Sequence, residues 1–398
     1  MSATEELPGI PFDQPDILSL PPLARKLQAQ CPITRVRTPV GDQAWLVTGY
    51  EEVRQVYADD RLGMSHRTPQ QAPRLAASSL LGGPNGDFET EPAERMRARA
   101  RLAPHFSAQR MRRFLPRVAA LTEEALSGIE RQGPPADLHA DLSVRLPAEV
   151  ICELLGVPAA DRSQFRQWTQ GIAHISSREH SDDSLSSLMS YMRDLIARKR
   201  RSPGDDVISG LCSDENAAIS DDYISLLAAI LLFAGHENTV VRLDHGVLLM
   251  LAHPGQIQAL RDKPELVSGA VEEVLRAAVD TGVRETLRWA REDVEISGTT
   301  IHAGDLVMLY SPAANRDDQV FEDPGSFDIS RPQRAPHMTL GFGAHYCLGA
   351  PLVRMELEAV FSRIFRWFPG LRLAVPAEQL PVDRQVLIGG LAALPVTW

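Results

Sequence analysis

From Glu51 to about Arg201 the apolar positions follow mostly helical spacing. Glycine and proline break that pattern at Gly82-Gly83-Pro84 and at Gly133-Pro134-Pro135. Ahead of it, a proline-rich start leads to one apolar run, Gln43-Ala44-Trp45-Leu46-Val47-Thr48, which predicts a short strand ending at Gly49. Pro203-Gly204-Asp205-Asp206 predicts a turn. A much longer helix is predicted from about Asp221 to Ala252. Ser220 suits its N-cap, Asp221 and Asp222 suit the positive end of its dipole, and His253-Pro254-Gly255 stops it. About 32 residues at ~1.5 Å each make a rod of roughly 48 Å, long enough to cross a whole domain.

Beyond the long helix, a second helix is predicted near Pro264–Val279. Two strands follow, at Val294–Gly298 and Leu306–Tyr310, then an irregular stretch rich in proline and glycine from Ala313 to Gly349. A last helix over about Pro351–Phe368 precedes a β-like tail. The expected fold is mainly α with a small β-rich region. The chain reads as one domain, 1–398, with its β-rich parts at roughly 30–50, 283–312 and 371–398.

Composition narrows the class. Of 398 residues 44% are hydrophobic and 23% charged, which excludes a disordered chain, a coiled coil and a collagen-like fibre. A net charge of −11 argues against a nucleic-acid partner. The longest uninterrupted apolar run, Leu226 to Gly235, falls short of the roughly 18 residues that span a bilayer. Glu5, Glu6 and Pro8 stand where a signal peptide would be basic and then apolar. The four cysteines, Cys31, Cys152, Cys212 and Cys347, are widely spaced, which fits a reducing compartment. These features predict a cytoplasmic protein without a membrane anchor.

The most informative segment is His337-Met338-Thr339-Leu340-Gly341-Phe342-Gly343-Ala344-His345-Tyr346-Cys347-Leu348-Gly349. Three glycines surround one cysteine, and Pro351 opens a helix directly afterwards. Backbone N–H groups of such a loop and helix start favour a thiolate. That thiolate suits either a nucleophile, with His345 as base, or a metal ligand. Zinc is disfavoured because His345 is the sole further ligand type nearby and no second cysteine pair exists.

This loop resembles the haem-binding loop of the cytochrome P-450 family, Phe-Gly-x-Gly-x-His-x-Cys-x-Gly. Gly341, Gly343, His345 and Gly349 match it, while Leu340 replaces the leading phenylalanine. The resemblance implies a b-type haem (heme b) whose iron is bound by the Cys347 thiolate, with Phe342 in the surrounding loop. Glu273-Val274-Leu275-Arg276 matches the family's E-x-x-R, an ion pair on one helix face. Arg288 and His337 stand where the family contacts the haem propionates, and Arg99 matches the arginine of its early helix. Arg95 replaces the family's histidine four residues earlier and is expected to meet the same acidic group.

Within the long helix, Phe233-Ala234-Gly235-His236-Glu237-Asn238-Thr239 resembles the family's Ala-Gly-x-acid-Thr-Thr. A mid-helix glycine costs roughly 1 kcal/mol against alanine, so Ala234-Gly235 is expected to lie against the flat macrocycle. The implied acid is Glu237. Asn238 takes the place of the first threonine, and Thr239 is the second, about 100° further round. The resemblance implies dioxygen activation and oxidation of a small or medium organic metabolite by hydroxylation or epoxidation. Asn238 also raises radical C–C or C–O coupling without oxygen retention, since some ring-coupling members carry asparagine there. A catalytically silent recruitment module is the remoter alternative, opposed by intact Cys347, Glu273, Arg276 and Glu237.

The resemblance places Leu232, Phe233, Val283, Leu287 and Ile388 in the substrate pocket. Residues 95–117 hold eight arginines and no acid, implying a docking face for an acidic ferredoxin that is served by its reductase. The chain is expected to act as a monomer.

Overall fold

Apolar residues cover almost every face of the predicted long helix, and that dictates its place. In a computed structural model it spans Asp221–Ala252, with the Ser220 side chain accepting from the Tyr223 N–H. By length and composition alone it would cross a membrane, yet most of its apolar stretch is buried inside the protein. The structure describes residues 7–78, 82–173, 177–213, 219–279, 286–383 and 389–398.

The largest core gathers around this helix. Leu126 of the helix Ala108–Gln132, Leu154 of Arg145–Leu155 and Leu195 of Arg178–Arg201 pack into it. So do Leu275 of Val267–Ala277 and Leu357 of Ala350–Phe361. The fold is mainly helical, as expected.

The β part is small and its main sheet joins distant segments. Its strand order is Ile33–Arg37, Gln43–Val47, Leu306–Leu309, Thr286–Ala290, Leu62–Gly63. The Gln43–Val47 and Leu306–Leu309 strands pair in parallel, and the other neighbours are antiparallel. Leu306–Leu309 is buried at every position, as a central strand covered on both faces must be. The predicted strand at Val294 ends at Ile296, where Ser297 and Gly298 both take positive φ and turn a tight hairpin onto Thr299–Ile301. In the tail, Pro395–Thr397 pairs with Ala136–Asp137 on one side and Arg372–Leu373 on the other.

Candidate functional site

The cysteine loop is shaped by one glycine above all. Gly341 has φ +73°, and a Cβ there would lie 2.6 Å from the His345 carbonyl oxygen, so no other residue fits. The fold-back lets the Cys347 N–H donate to the Leu340 carbonyl at 2.7 Å. That bond closes the loop over the residues between Leu340 and Cys347. Cys347 is exposed, three residues ahead of the helix Ala350–Phe361, whose N-cap is Gly349 and whose first turn holds Pro351. Asn315 anchors the loop from the irregular segment: its Nδ2 donates to Thr339 Oγ1 at 2.7 Å and its Oδ1 accepts from the Met338 N–H at 2.6 Å.

Beside the cysteine, cationic groups converge. Arg95 Nη1 lies 2.8 Å from His345 Nδ1 and also contacts its Nε2. Arg99 Nη1 donates to the Tyr346 carbonyl at 2.7 Å. Arg288 is 3% exposed, sits over the Tyr57 ring, and uses Nη1 on the adjacent Leu287 carbonyl. Its Nε has no partner among the described residues. Burial, and then Arg288, Arg95 and Arg99, push His345 down to about 3, so its ring is neutral and can accept from Arg95. Glu91 reaches only the edge of this group, 4.0 Å from Arg95 Nε and 3.6 Å from Arg291. A buried guanidinium without a carboxylate is costly, so the arrangement is built for an anion.

His337 lies outside that cluster, and both its ring nitrogens are buried without a hydrogen-bond partner among the described residues. Its Nε2 lies 3.4 Å from Glu272 Oε2, and Arg354 holds the same carboxylate at 2.6 and 3.0 Å. Burial opposes the charge on Glu272, yet His337 and Arg354 beside it bring it down to about 2. Arg354 also donates to the Tyr346 hydroxyl at 2.9 Å, so this second network braces the loop from the other side. His345 is the histidine that belongs with Arg288.

The long helix turns one stripe to open space. Leu226, Ile230 and Ala234 are exposed, and Asn238 continues the four-residue spacing. Asn238 Nδ2 donates to the Ala234 carbonyl at 3.3 Å. Thr239 is buried on another face, its hydroxyl donating to the Gly235 carbonyl at 3.2 Å. At Gly235 a Cβ would meet Ile151 Cδ1 at 2.8 Å, so the packing of Ile151 favours glycine there. Ala234 is the small residue facing outward. Leu232 and Phe233, expected in the pocket, are 1% and 3% exposed within the main core. Ile230 and Ala234 keep the accessible surface that Leu232 and Phe233 lack. Leu287 is half-buried against the smaller core that includes Trp289 and Met308. Val283 and Ile388 lie outside the described residues.

Glu273 and Arg276 form a deeply buried clamp where sequence alone offers an exposed helix pair. Two contacts of 2.8 Å join them, and Arg331 adds two more to Glu273 at 3.2 Å. Arg276 further donates to the carbonyls of Asn315, Pro324 and Ser326. The clamp thus ties the irregular segment to the helix beneath the cysteine loop. Sequence reasoning missed Arg331, Tyr57 and the Glu272–Arg354 pair, because nothing in their local spacing separates them from surface residues.

Comparison with known proteins decides the identity. The cytochrome P-450 family model matches residues 178–370. Pentalenolactone synthase of Streptomyces exfoliatus is 42% identical over 99% of this chain and 100% of its own length. The chain belongs to the cytochrome P-450 family. Among solved structures it is similar to SgvP, a putative thioether synthase of griseoviridin tailoring (TM-score 0.90, 35% identity, 98% of this chain and 100% of that one). It is likewise similar to PimD, a cytochrome P-450 epoxidase of the polyene macrolide pimaricin (TM-score 0.88, 37% identity, 99% and 100%).

Cytochromes P-450 carry haem with thiolate-ligated iron, and this chain is a monooxygenase of that family. The residues fit the group: an exposed thiol lies in a glycine-shaped loop whose His345 and Tyr346 meet Arg95 and Arg99, and the buried Arg288 has no acidic partner among the described residues. Pentalenolactone synthase and the pimaricin epoxidase, two bacterial members it resembles, are natural-product enzymes.

Proposed function

We propose that this cytochrome P-450 oxidises a small or medium organic metabolite by hydroxylation or epoxidation, with the Cys347 thiolate as the haem ligand. Two observations carry this: Cys347 is exposed in its glycine-shaped loop, and Arg288 is buried with an Nε that has no partner among the described residues. Arg95, Arg99, Arg288 and His345 would hold the carboxylates of the haem edge, with Gly341, Phe342, Gly343 and Gly349 shaping the loop around it. When bound, the haem supplies dioxygen activation. The chain's own residues do the rest. Ile230 and Ala234 present an apolar wall to substrate and leave room above the site. Glu237 supplies protons, and Asn238, on the exposed stripe, orients the water that carries them.

Electrons would come from an acidic ferredoxin served by its reductase. The arginine-rich face supports this in reduced form. Arg110 and Arg117 are paired with Asp205 and Glu153, and Arg95 and Arg99 turn into the site. Arg97, Arg112 and Arg113 remain exposed, as does Met96, with Arg97 4.0 Å from Glu94. We place the enzyme in the cytoplasm.

Radical coupling without oxygen retention is the second reading. It is favoured by Asn238, because the stripe then carries an amide where a hydroxyl would stand, and by the likeness to a putative thioether synthase. Isotopically labelled dioxygen separates the two. Insertion predicts label in the product, and a product without label removes insertion.

A further inference from the structure

We infer that Tyr57 is a positioning residue for the haem edge, its ring setting Arg288 and His345 side by side where the carboxylates would be held. The inference rests on the haem-thiolate reading and adds a residue that lies outside every motif of the chain. Tyr57 is 5% exposed, near the end of the helix Tyr50–Ala58. Parts of two distant segments meet its ring. The Arg288 guanidinium carbon lies 5.6 Å from the ring centroid. The His345 ring is 6.3 Å away between centroids and tilted by 41°, within the range of aromatic contacts. A Cβ at Gly341 would lie 3.6 Å from Tyr57 Cε1, so the ring edge also borders the turn that shapes the cysteine loop.

The strand Thr286–Ala290 explains how one side chain reaches both. Thr286 and Arg288 are two residues apart, so they project from the same face of the strand. The Tyr57 hydroxyl donates to Thr286 Oγ1 at 3.2 Å, and the ring takes the guanidinium. The hydroxyl thus fixes where the ring sits, and the ring fixes where the guanidinium sits.

Arg288 has need of such a support. It is buried, its Nη1 donates to the Leu287 carbonyl, and its Nε has no partner among the described residues. Burial disfavours its charge, and the positive Arg95, which meets His345, opposes it further. The electron-rich face of a tyrosine attracts a cation, more strongly out of water. Held there, the guanidinium keeps its unspent donor ready for a carboxylate, and little ordering is left to be done when one arrives. Tyr57 also packs with Val53, Val56 and Leu62. A residue that served this packing alone could give way to another apolar side chain without disturbing the haem edge.

The test measures haem transfer from the ferric holoenzyme to excess apomyoglobin, together with the ferric–ferrous potential. Tyr57→Leu removes the ring and should speed transfer roughly tenfold. A cation held at the haem edge favours the more negative reduced state, so the potential should also fall. Tyr57→Phe keeps the ring and should stay within about threefold of wild type, with its potential little changed. In an Arg288→Leu background, Tyr57→Leu should add no more than about twofold, because both act through one cation. Far-UV circular dichroism checks the fold of each variant, and Tyr57→Met, equally ring-free, replaces Tyr57→Leu should the latter not fold. Unchanged transfer and potential in the ring-free variant would overturn the proposal. So would an equal loss in Tyr57→Phe, or a full effect persisting without Arg288. The carbonyl spectrum of the wild type tests haem-thiolate ligation, and Arg288→Leu alone tests the haem edge, so failure at Tyr57 is distinguishable from failure of either.

Discussion

Arg276 faces Glu273 through two 2.8 Å contacts at a site where neither side chain is more than 4% exposed. Such a pair is weak evidence of net stabilisation, because desolvating both charges offsets most of their attraction. Breaking it is another matter. Arg276→Ala leaves Glu273 buried with Arg331 at 3.2 Å as its remaining cation. We expect a loss of about 3–5 kcal/mol in urea unfolding, together with poor haem retention, because Arg276 also holds the carbonyls of Asn315, Pro324 and Ser326. A change within 1 kcal/mol would show that the clamp is redundant.

Gly341→Ala tests the loop. Its Cβ would collide with the His345 carbonyl at a φ of +73°, so the turn must open. Strain of about 1–3 kcal/mol is expected, and haem loading measured by absorbance should fall while far-UV circular dichroism stays near wild type.

Arg288→Leu removes the buried cation whose Nε stands free and keeps much of the side-chain volume. Because burial already disfavours this charge, apoprotein stability should change little or rise, whereas haem should dissociate faster in a transfer assay. Equal dissociation rates would place the haem edge elsewhere.

Asn238→Thr puts a hydroxyl on the exposed stripe next to Ala234. If this position orients the relay water, the fraction of reducing equivalents lost to peroxide should change. An unaltered fraction would remove Asn238 from proton delivery.

His139 and Asp244 meet at 2.7 Å, and Asp244 is 1% exposed. Burial pulls the His139 value down, but the hydrogen bond and charge of Asp244 outweigh it and leave the value raised. A raised histidine value stabilises the fold fully below the unfolded value of about 6.5. That contribution is lost as pH rises through the raised folded value. The unfolding free energy of wild type should therefore fall, relative to Asp244→Asn, as pH is taken upward from about 6.5. Parallel pH profiles would show that the pair does not titrate with folding.

Much of this was legible along the chain. Ser220, the following aspartates and His253-Pro254 delimit the helix Asp221–Ala252 because caps and breakers act over a few residues. The loop around Cys347 was legible for a similar reason, since glycine, proline and cysteine carry conformational and chemical constraints of their own. What only the tertiary structure decided was which groups face one another. Burial of Glu273 and Arg276 beside Arg331, His345 beside Arg288, and Ile151 against Gly235 all join segments far apart in sequence. The exposed stripe of the long helix shows the limit most clearly. Leu232 and Phe233 are as apolar as Ile230, and only the packing of neighbouring helices selects which face of a wholly apolar rod is left open.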